Sequence, residues 1–443
     1  MIIPQPPVTR SSMDFPQQAD ILHGMPSVLS GRLRGLRIFM LVAAGLLVAT
    51  GLATLYAIGH PAEGGPATAS RELARLYPRQ LSFAIAGLIA LIAVNATSYR
   101  TIGRYSFWIF AVVIALLALL AAARVLARFG FHVPMVPQRN NVYQWIAIRI
   151  GGYSILTIQP SEFCKLAYVI FLSWYLRYRS NYRRFKVLLG PFLLTILPVG
   201  LILLEPDLGT ACLLIVMLFA MLFVAGARAK HLAMIVSLGL ILSPLVWQTL
   251  SPAQKGRITA VLLQDQQIRQ AVQRSPILSR ILVGRQFNPS NWAQAEGYQL
   301  ERSKYAIASG GLTGYGFRKG PFIKYDFLVY RESDFIFAVI AHQWGLFGAV
   351  TVLGLYATIS LCGLEIASHN TDPFGRLLAA GIVIMFTVEV LVNVSVTVGL
   401  MPVTGLTLPL VSHGGSSLLV HMIAIGLLNN VGRSRPFTLA RKT

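Results

Sequence analysis

The chain has 443 residues, of which 55% are apolar and only 12% are charged. Because so little polar surface is available to enclose a core, this composition excludes a disordered chain and a disulfide-stapled secreted module. It also argues against a soluble multidomain enzyme. In so apolar a chain, the net charge of +22 is typical of a polytopic membrane protein with basic cytoplasmic loops.

Ten apolar runs are long enough to cross a hydrocarbon layer of roughly 30 Å, which takes about 20 helical residues. The predicted spans are 38–59, 80–98, 105–124, 160–177, 188–204, 208–225, 231–250, 334–362, 377–399 and 416–431. The fifth and sixth spans meet at a Pro turn and could instead form one broken element. The predicted fold class is therefore an all-α polytopic membrane protein with about ten transmembrane helices.

The distribution of Lys and Arg predicts the orientation, because basic residues concentrate in short cytoplasmic connections. With the N-terminus inside, the inner segments hold eighteen Lys and Arg, and the short outer segments hold six. The connection at 251–333 holds twelve more, but loops longer than about 60 residues escape this rule. We therefore predict an N-in, C-in protein with a large extracytoplasmic loop at 251–333.

The predicted domain organisation follows from these spans. Residues 1–36 form a cytoplasmic N-terminal tail, residues 37–432 form the transmembrane domain, and residues 433–443 form a cytoplasmic C-terminal tail. The inner basic residues favour anionic membrane lipids. This accounts for much of the positive charge without a nucleic acid partner.

Ionisable side chains inside apolar runs cost about 2.5–3.5 kcal/mol to insert, so each is a candidate functional residue. Glu162 and Lys165 lie three residues apart at the start of the fourth span and share one helix face, where they can pair. Two interpretations stay open. The pair compensates charge at a helix start, or it lines a polar cavity.

Glu205 and Asp207 flank a proline at the junction of the fifth and sixth spans. One interpretation is a proline turn in which Asp207 caps the next helix. The other is a pair of carboxylates on the outer side that holds a divalent cation or the head group of a substrate.

The end of the long loop places Glu332 and Asp334 directly before the eighth span. Ser333 or Asp334 could simply be the helix cap. A partly desolvated carboxylate would, however, have a raised pKa, which suits a general base near neutral pH. This position at the outer membrane boundary also matches a lipid-borne substrate whose reacting group lies at headgroup level.

Residues 399–417, which include Thr404 and Ser416, separate the ninth and tenth spans with a run of Gly, Pro, Thr and Ser. Non-helical backbone at membrane depth is tolerated only where it is buried in protein or lines a wet cavity. A re-entrant segment that serves packing alone is the alternative. His413 and His421 are expected to be satisfied interior side chains rather than metal ligands.

Taken together, these segments resemble the SEDS family, the shape, elongation, division and sporulation proteins. Six blocks occur in the order of that family. They are Gln159–Lys165, Glu205–Thr210, Gly297–Gly316, Ser333–Ala338, Gly399–Gly405 and Ser412–Ser417. The resemblance also implies ten helices and a large outer loop between the seventh and eighth.

The resemblance implies peptidoglycan polymerisation during cell elongation or division, in which a glycan passes from an undecaprenyl pyrophosphate carrier to a sugar hydroxyl of lipid II. The essential carboxylate of the family falls on Asp334, as general base or metal-assisted activator of the acceptor 4-hydroxyl. The leaving pyrophosphate needs positive charge, for which Lys319 and Arg331 are available. Ser309 belongs to a Gly-rich segment that could offer backbone N–H groups to phosphate.

The implied cofactor is a divalent cation, Mg²⁺ or Mn²⁺, with Asp334 as a candidate ligand, although nothing in the sequence requires one. The implied partners are lipid II, undecaprenyl-linked glycan and a class B penicillin-binding protein that acts as transpeptidase. The implied location is the bacterial cytoplasmic (inner) membrane. The chain departs from the family pattern at Glu332, where a His is usual, and at Glu389, where a Gln is usual.

Two other functions stay open at this point. A lipid II flippase would depend on the intramembrane charges Glu162, Lys165 and Glu389 more than on Asp334. A non-catalytic scaffold would only recruit the transpeptidase and would tolerate the loss of Asp334.

Overall fold

A computed structural model describes residues 33–62, 73–131, 133–138, 142–150, 153–178, 185–294 and 296–433. Nearly all of the two predicted tails, 1–36 and 433–443, falls outside these residues. The described part is almost entirely helical, as long apolar runs bounded by turn residues predict.

The helices are α1 (Arg34–Gly59), α2 (Leu76–Ala96), α3 (Tyr99–Arg104), α4 (Ser106–Ala127), α5 (Pro160–Leu176), α6 (Phe185–Leu204), α7 (Leu208–Val224), α8 (Ala229–Thr249), α9 (Pro252–Thr259), α10 (Gln266–Arg274), α11 (Pro276–Val283), α12 (Pro289–Gln294), α13 (Glu296–Gly310), α14 (Pro321–Lys324), α15 (Ile336–Ser368), α16 (Pro373–Thr397) and α17 (Gly415–Arg433). Two strands, β1 (Ile146–Ile150) and β2 (Tyr153–Ile158), lie between α4 and α5.

Each of the ten predicted spans coincides with one helix, and α6 and α7 are two packed helices rather than one broken element. Eight of the described helices are long and apolar enough to cross a membrane. The other two, α5 and α7, have 17 residues each, which is at the short end of the roughly 17–25 that a span needs. The helical membrane fold is confirmed, while the exact number of spans and the N-in orientation stay predictions.

The hairpin of β1 and β2 was not predicted, and it qualifies the all-α assignment. The strands are antiparallel, with Ile146 opposite Ile158, and they are rich in the Ile, Thr and Tyr that favour strands. Because β2 ends one residue before Gln159 and α5 begins at Pro160, the hairpin sets the position of the N-terminus of α5.

The predicted large loop is a folded layer of short helices, α9 to α14. Ser251 and Asp265 cap α9 and α10 through backbone N–H groups, as such residues do at helix N-termini. The layer has its own small core, formed by Leu263, Val272, Val283, Phe287 and Trp292. It therefore has fixed structure of its own beside the membrane helices.

The centre of the bundle is formed by α16 and α17. α16 packs against α5, α7 and α15, and α17 packs against α2. Close packing rather than hydrophobic burial must hold such helices together in lipid. By contrast, α8 lies at the edge, since Leu232 is the one buried side chain of this fully described helix.

Successive long helices alternate in direction. The C-terminal ends of α1, α4, α6, α8 and α16 and the N-terminal ends of α2, α5, α7, α15 and α17 therefore lie together. This end also carries the short helices of residues 250–335, and we call it the loop end. The residue blocks singled out in the sequence lie at it.

α15 is interrupted at Gly345, whose φ of 61° and ψ of −158° are not helical. The backbone of residues 310–316 fills the break, and the N–H of Leu346 donates to the carbonyl of Gly311 at 2.9 Å. A Cβ at position 345 would lie 2.3 Å from a carbonyl oxygen of this loop, so glycine alone fits there. Before the break, the carbonyls of His342 and Gln343 accept from the N–H groups of Tyr315 and Gly316 at 3.1 and 2.9 Å, so both parts of α15 are tied to the loop after α13.

Candidate active site

A polar cavity of about 360 Å³ lies at the loop end of the bundle. Its walls come from the N-terminal ends of α2, α5, α7 and α17, the turn before α15, and the segment between α16 and α17. Its polar lining includes Arg79, Gln159, Glu162, Asp207, Asp334, Thr407, His413 and Ser416. The cavity therefore joins the four polar segments that the sequence analysis singled out.

Asp334 lies in a turn that is held by backbone contacts. Its N–H donates to the Tyr330 carbonyl at 3.1 Å, and its carbonyl accepts from Asn393 Nδ2 of α16 at 3.0 Å. Ser412 Oγ donates to the Ser333 carbonyl at 2.5 Å. Because these contacts use the main chain, they fix the Asp334 carboxyl at the cavity wall without occupying its oxygens.

The electrostatic surroundings favour the protonated form of the Asp334 carboxyl more than water does. Burial is the main reason why its pKa is raised to about 6. The carboxylates of Glu332 and Asp207 also raise this pKa, while the Ser333 hydroxyl and the Arg257 guanidinium lower it. A carboxylate with a pKa near 6 can accept a proton at near-neutral pH, as a general base must.

Asp207 caps α7, as the first interpretation predicted, and it also lines the cavity. Its carboxylate accepts from the N–H and the hydroxyl of Thr210, at 2.9 and 2.8 Å. Glu205, by contrast, is buried outside the cavity lining, and burial followed by the charge of Asp207 raises its pKa to about 9. Glu205 therefore holds a proton at neutral pH, and the two carboxyls do not face the cavity together.

Glu162 and Lys165 form the predicted ion pair, with 2.8 Å between Glu162 Oε2 and Lys165 Nζ. Lys165 Nζ also lies 2.7 Å from Glu389 Oε1 of α16, and Glu389 Oε2 lies 2.6 Å from His421 Nε2 of α17. All four side chains are buried, and we call them the buried ion chain. Of the four, Glu162 reaches the cavity, so the other three stand behind its wall.

The two cations expected near a pyrophosphate lie outside the cavity lining. Arg331 is buried, and its guanidinium donates to the carbonyls of Phe322 and Tyr325 at 2.9 and 2.8 Å. Lys319 is exposed on the short-helix layer. Arg331 therefore stabilises the segment before α15, because it satisfies buried carbonyls that would otherwise lack donors.

Of the remaining predicted site residues, one lines the cavity and the others do not. Ser416 lines the cavity, and its Oγ accepts from the N–H of Gln159 at 3.0 Å. Thr404 and the Glu332 side chain lie just outside the lining. Ser309 is also outside the lining, and its Oγ lies 2.8 Å from Nδ1 of His342.

Arg79 and His413 line the cavity, although neither was predicted as a site residue. Arg79 donates from Nη2 to Thr157 Oγ1 at 2.9 Å. Burial, and then the charge of Arg79, lowers the pKa of His413 to about 4, so this imidazole is neutral at neutral pH. The signal in the sequence that could have indicated Arg79 is its place at the outer start of the second span.

The donor set offers limited support for a metal ion. Among the described residues, no group of three or more His, Cys, Asp and Glu could hold one. Asp207 and Asp334 are the two aspartates in the lining. Mg²⁺ is usually held by one or two carboxylates together with substrate phosphates, so the cavity fits such an ion when phosphate oxygens complete its shell.

The order of these segments along the chain is that of a known family. The cell cycle proteins FtsW, RodA and SpoVE define a family pattern that matches residues 37–436. The chain belongs to the FtsW/RodA/SpoVE family. The resemblance drawn from the six sequence blocks is therefore confirmed.

Relatives in this family are similar over most of their length. Peptidoglycan glycosyltransferase RodA of Treponema pallidum is 30% identical over 453 residues, which cover 90% of this chain and 99% of the relative. Stage V sporulation protein E of Bacillus subtilis is 35% identical over 359 residues, which cover 80% of this chain and 86% of the relative.

Solved structures of the FtsW/RodA/SpoVE family share the fold. One comes from a peptidoglycan synthase complex in which polymerization and crosslinking are coordinated. It matches with a TM-score of 0.65 and 26% sequence identity, and the match covers 89% of this chain and 96% of the chain in that complex. The rod shape determining protein RodA of Thermus thermophilus has a TM-score of 0.57 at 26% identity, with 89% and 95% covered.

Proposed function

We propose that this FtsW/RodA/SpoVE family member is a peptidoglycan glycosyltransferase that polymerises lipid II in the cavity at the loop end. Similarity along nearly the full length of a peptidoglycan glycosyltransferase supports the activity. The observation that carries the assignment of the site is the Asp334 carboxyl, which is fixed at the cavity wall and has a pKa of about 6.

Asp334 acts as the base in this proposal. Its carboxylate accepts the proton of the 4-hydroxyl on the acceptor sugar while that oxygen attacks the anomeric carbon of the donor glycan. The bond from the anomeric carbon to the pyrophosphate oxygen breaks, and undecaprenyl pyrophosphate leaves with the electron pair. General base catalysis of this kind contributes roughly 10²–10⁴-fold to a rate.

The leaving pyrophosphate needs positive charge on the other side of the reacting centre. Arg79 is a cation in the cavity lining, and the N-terminus of α17, where Gly415 and Ser416 line the cavity, presents the positive end of a helix dipole. We assign the diphosphate to these groups in place of Lys319 and Arg331, because the latter two lie outside the lining.

Asp207 would hold a divalent cation, Mg²⁺ or Mn²⁺, together with diphosphate oxygens, and the charge of the ion would stabilise the leaving group. Asp334 is kept as the base because a metal bound to its carboxylate would lower its affinity for the proton. Asp207 suits this role, since it lines the cavity while its contacts with Thr210 fix it at the start of α7.

We place the loop end on the outer side of the bacterial inner membrane, with both termini inside. The excess of Lys and Arg in the short connections of the opposite side supports this orientation. A class B penicillin-binding protein is the proposed partner. The similar structure from a complex with coordinated polymerization and crosslinking supports it.

The deciding experiment supplies purified protein with lipid II, Mg²⁺ or Mn²⁺ and a class B penicillin-binding protein, and it measures glycan by gel electrophoresis. We expect glycan from the wild type and a rate lower by about 10²–10⁴-fold for Asp334→Asn. Asp326→Asn is the matched control, because Asp326 is an exposed carboxylate in the same loop, and it should keep the wild-type rate.

Three outcomes would contradict the proposal in different ways. Equal rates for Asp334→Asn and the wild type would remove Asp334 as the base. An inactive wild type that moves lipid II across liposomes would instead be a flippase. An inactive wild type that moves no lipid II but binds the transpeptidase would be a scaffold.

A further inference from the structure

We infer that Glu389 and His421 are positioning residues, which act through Lys165 to hold the Glu162 carboxylate at the wall of the cavity. The inference rests on the proposed function, because the rate of polymerisation is its first readout. Neither residue lines the cavity, so neither is expected to touch substrate.

The contacts of His421 determine its proton count. Nδ1 lies 2.7 Å from the carbonyl oxygen of Ser417, which can only accept, so Nδ1 carries a proton. Nε2 lies 2.6 Å from Glu389 Oε2, and a second proton must lie between these two atoms. Whether this proton sits on the ring or on the carboxyl, the pair of His421 and Glu389 is neutral as a unit.

This neutrality decides what Lys165 can do for Glu162. The ammonium of Lys165 lies between two carboxylates, 2.8 Å from Glu162 and 2.7 Å from Glu389. With the extra proton, Glu389 is already balanced by His421, and the charge of Lys165 balances Glu162. Without it, two buried carboxylates would compete for one ammonium, and an unbalanced buried charge is expensive.

The buried ion chain reaches the cavity through Glu162, and its other end contacts Ser417, which is a lining residue, so a change in the charge of the buried ion chain is felt in the cavity. Glu162 lines the cavity directly, and Ser417 Oγ lies 2.8 Å from Thr407 Oγ1, where both hydroxyls line it. The charges of Glu162 and Lys165 also act on the carboxyl of Asp207, which lines the cavity.

On the side away from the cavity, uncharged side chains lie beside the buried ion chain. Tyr356 of α15 feels the charge of Glu389, and its hydroxyl donates to the carbonyl of Pro409. Phe386 packs edge-on against the His421 ring at 4.9 Å between centroids. Neither side chain carries a charge that could replace the proton on His421, so on this side the charge balance depends on the four members of the buried ion chain.

The test is a double-mutant cycle. His421→Gln leaves two carboxylates and one ammonium, and we expect the polymerisation rate to fall about tenfold, as loss of a supporting residue commonly costs. The variant Glu389→Gln with His421→Gln restores charge balance and should recover most of that loss. Glu389→Gln alone leaves a balanced Glu162–Lys165 pair and keeps an amide oxygen that can accept from Lys165, so its rate should stay above that of His421→Gln.

A change of pH separates positioning from a purely structural role. Protonation of Asp334 slows every form as the pH falls, so each variant is compared with the wild type at the same pH. Lowering the pH by about two units should shrink the rate deficit of His421→Gln relative to the wild type, because a buried carboxyl then takes up the missing proton. A variant that is merely misfolded would gain nothing. His369→Gln is the matched control, since His369 pairs with Glu365 at 3.1 Å on an exposed end of α15, and it should keep the wild-type rate and pH profile.

Lipid II binding, measured by fluorescence for the same forms, provides a readout that does not need turnover. A wild type that binds lipid II but makes no glycan would refute the proposed function, while the order of the four affinities would still test the positioning role. An active wild type with no rescue in the double variant and no pH effect would overturn the inference. If His421→Gln does not fold, the double variant decides the question. A double variant that folds supports the role of charge balance, and one that does not fold contradicts it.

Discussion

Two groups of acidic side chains in this protein meet opposite surroundings. In the buried ion chain, Glu162 and Glu389 each lie within hydrogen-bonding distance of the Lys165 ammonium. In the turn before α15, Asp334 lies near other carboxylates, and burial outweighs the one guanidinium that acts on it. A carboxyl that must take up a proton has to lack a close counter-ion, because a cation lowers its proton affinity. The placement of cations, more than that of acids, therefore separates the reactive carboxyl from the supporting ones.

The largest effect is expected when the cation is removed from the buried ion chain. Lys165→Met leaves Glu162 and Glu389 buried without an ammonium, and we expect a loss of about 3–5 kcal/mol in the free energy of unfolding. Denaturant titration of the protein in detergent measures it. Lys319→Met removes an exposed Lys and should change stability by less than about 0.5 kcal/mol. Equal stability of the two variants would show that the chain does not depend on its central charge.

The role of Asp334 is expected to show in the pH dependence of the polymerisation rate rather than in the free energy of unfolding. Because Asp334 must lose its proton to act as a base, the polymerisation rate should rise with pH through a midpoint of about 6. Glu332→Gln removes a negative charge that raises this pKa, so the midpoint should move to lower pH by less than about one unit. Asp326→Asn should leave the midpoint in place. A midpoint that moves to higher pH in Glu332→Gln would contradict this account of the site.

The smallest effect on stability is expected for an ion pair that is partly exposed. Arg269 Nη2 and Glu301 Oε1 form a partly exposed pair at 3.6 Å, and Glu301→Gln should cost no more than about 1 kcal/mol in the free energy of unfolding. Added salt should reduce this cost, since solvent ions screen exposed charges. If Glu301→Gln lost nearly as much free energy of unfolding as Lys165→Met, burial would not explain the difference between exposed and buried ion pairs.

The helices could be predicted closely because each is a long apolar run, and membrane depth leaves a segment few other structures. The Glu162–Lys165 pair could be predicted because it depends on spacing within one helix. Its continuation to Glu389 and His421 could not, because these residues come from α16 and α17 and meet Lys165 only in the packed bundle.

The positions of the cations were the least predictable part of the site. Arg331 and Lys319 lie in the expected loop, but a sequence does not show which way a side chain turns. Arg331 turns inward to buried carbonyls, whereas Arg79 lies in the cavity lining. The β-hairpin before α5 was missed because its short alternating strands lie between much stronger apolar runs.

The break at Gly345 ties both parts of α15 to one loop. Before the break, the carbonyls of His342 and Gln343 accept from the loop of residues 310–316, and after it the N–H groups of Leu346 and Phe347 donate to the same loop. Segments that share hydrogen bonds in this way open together. The turn that carries Asp334 therefore shares its order with this loop and, through the loop, with the first residues of the membrane-spanning remainder of α15.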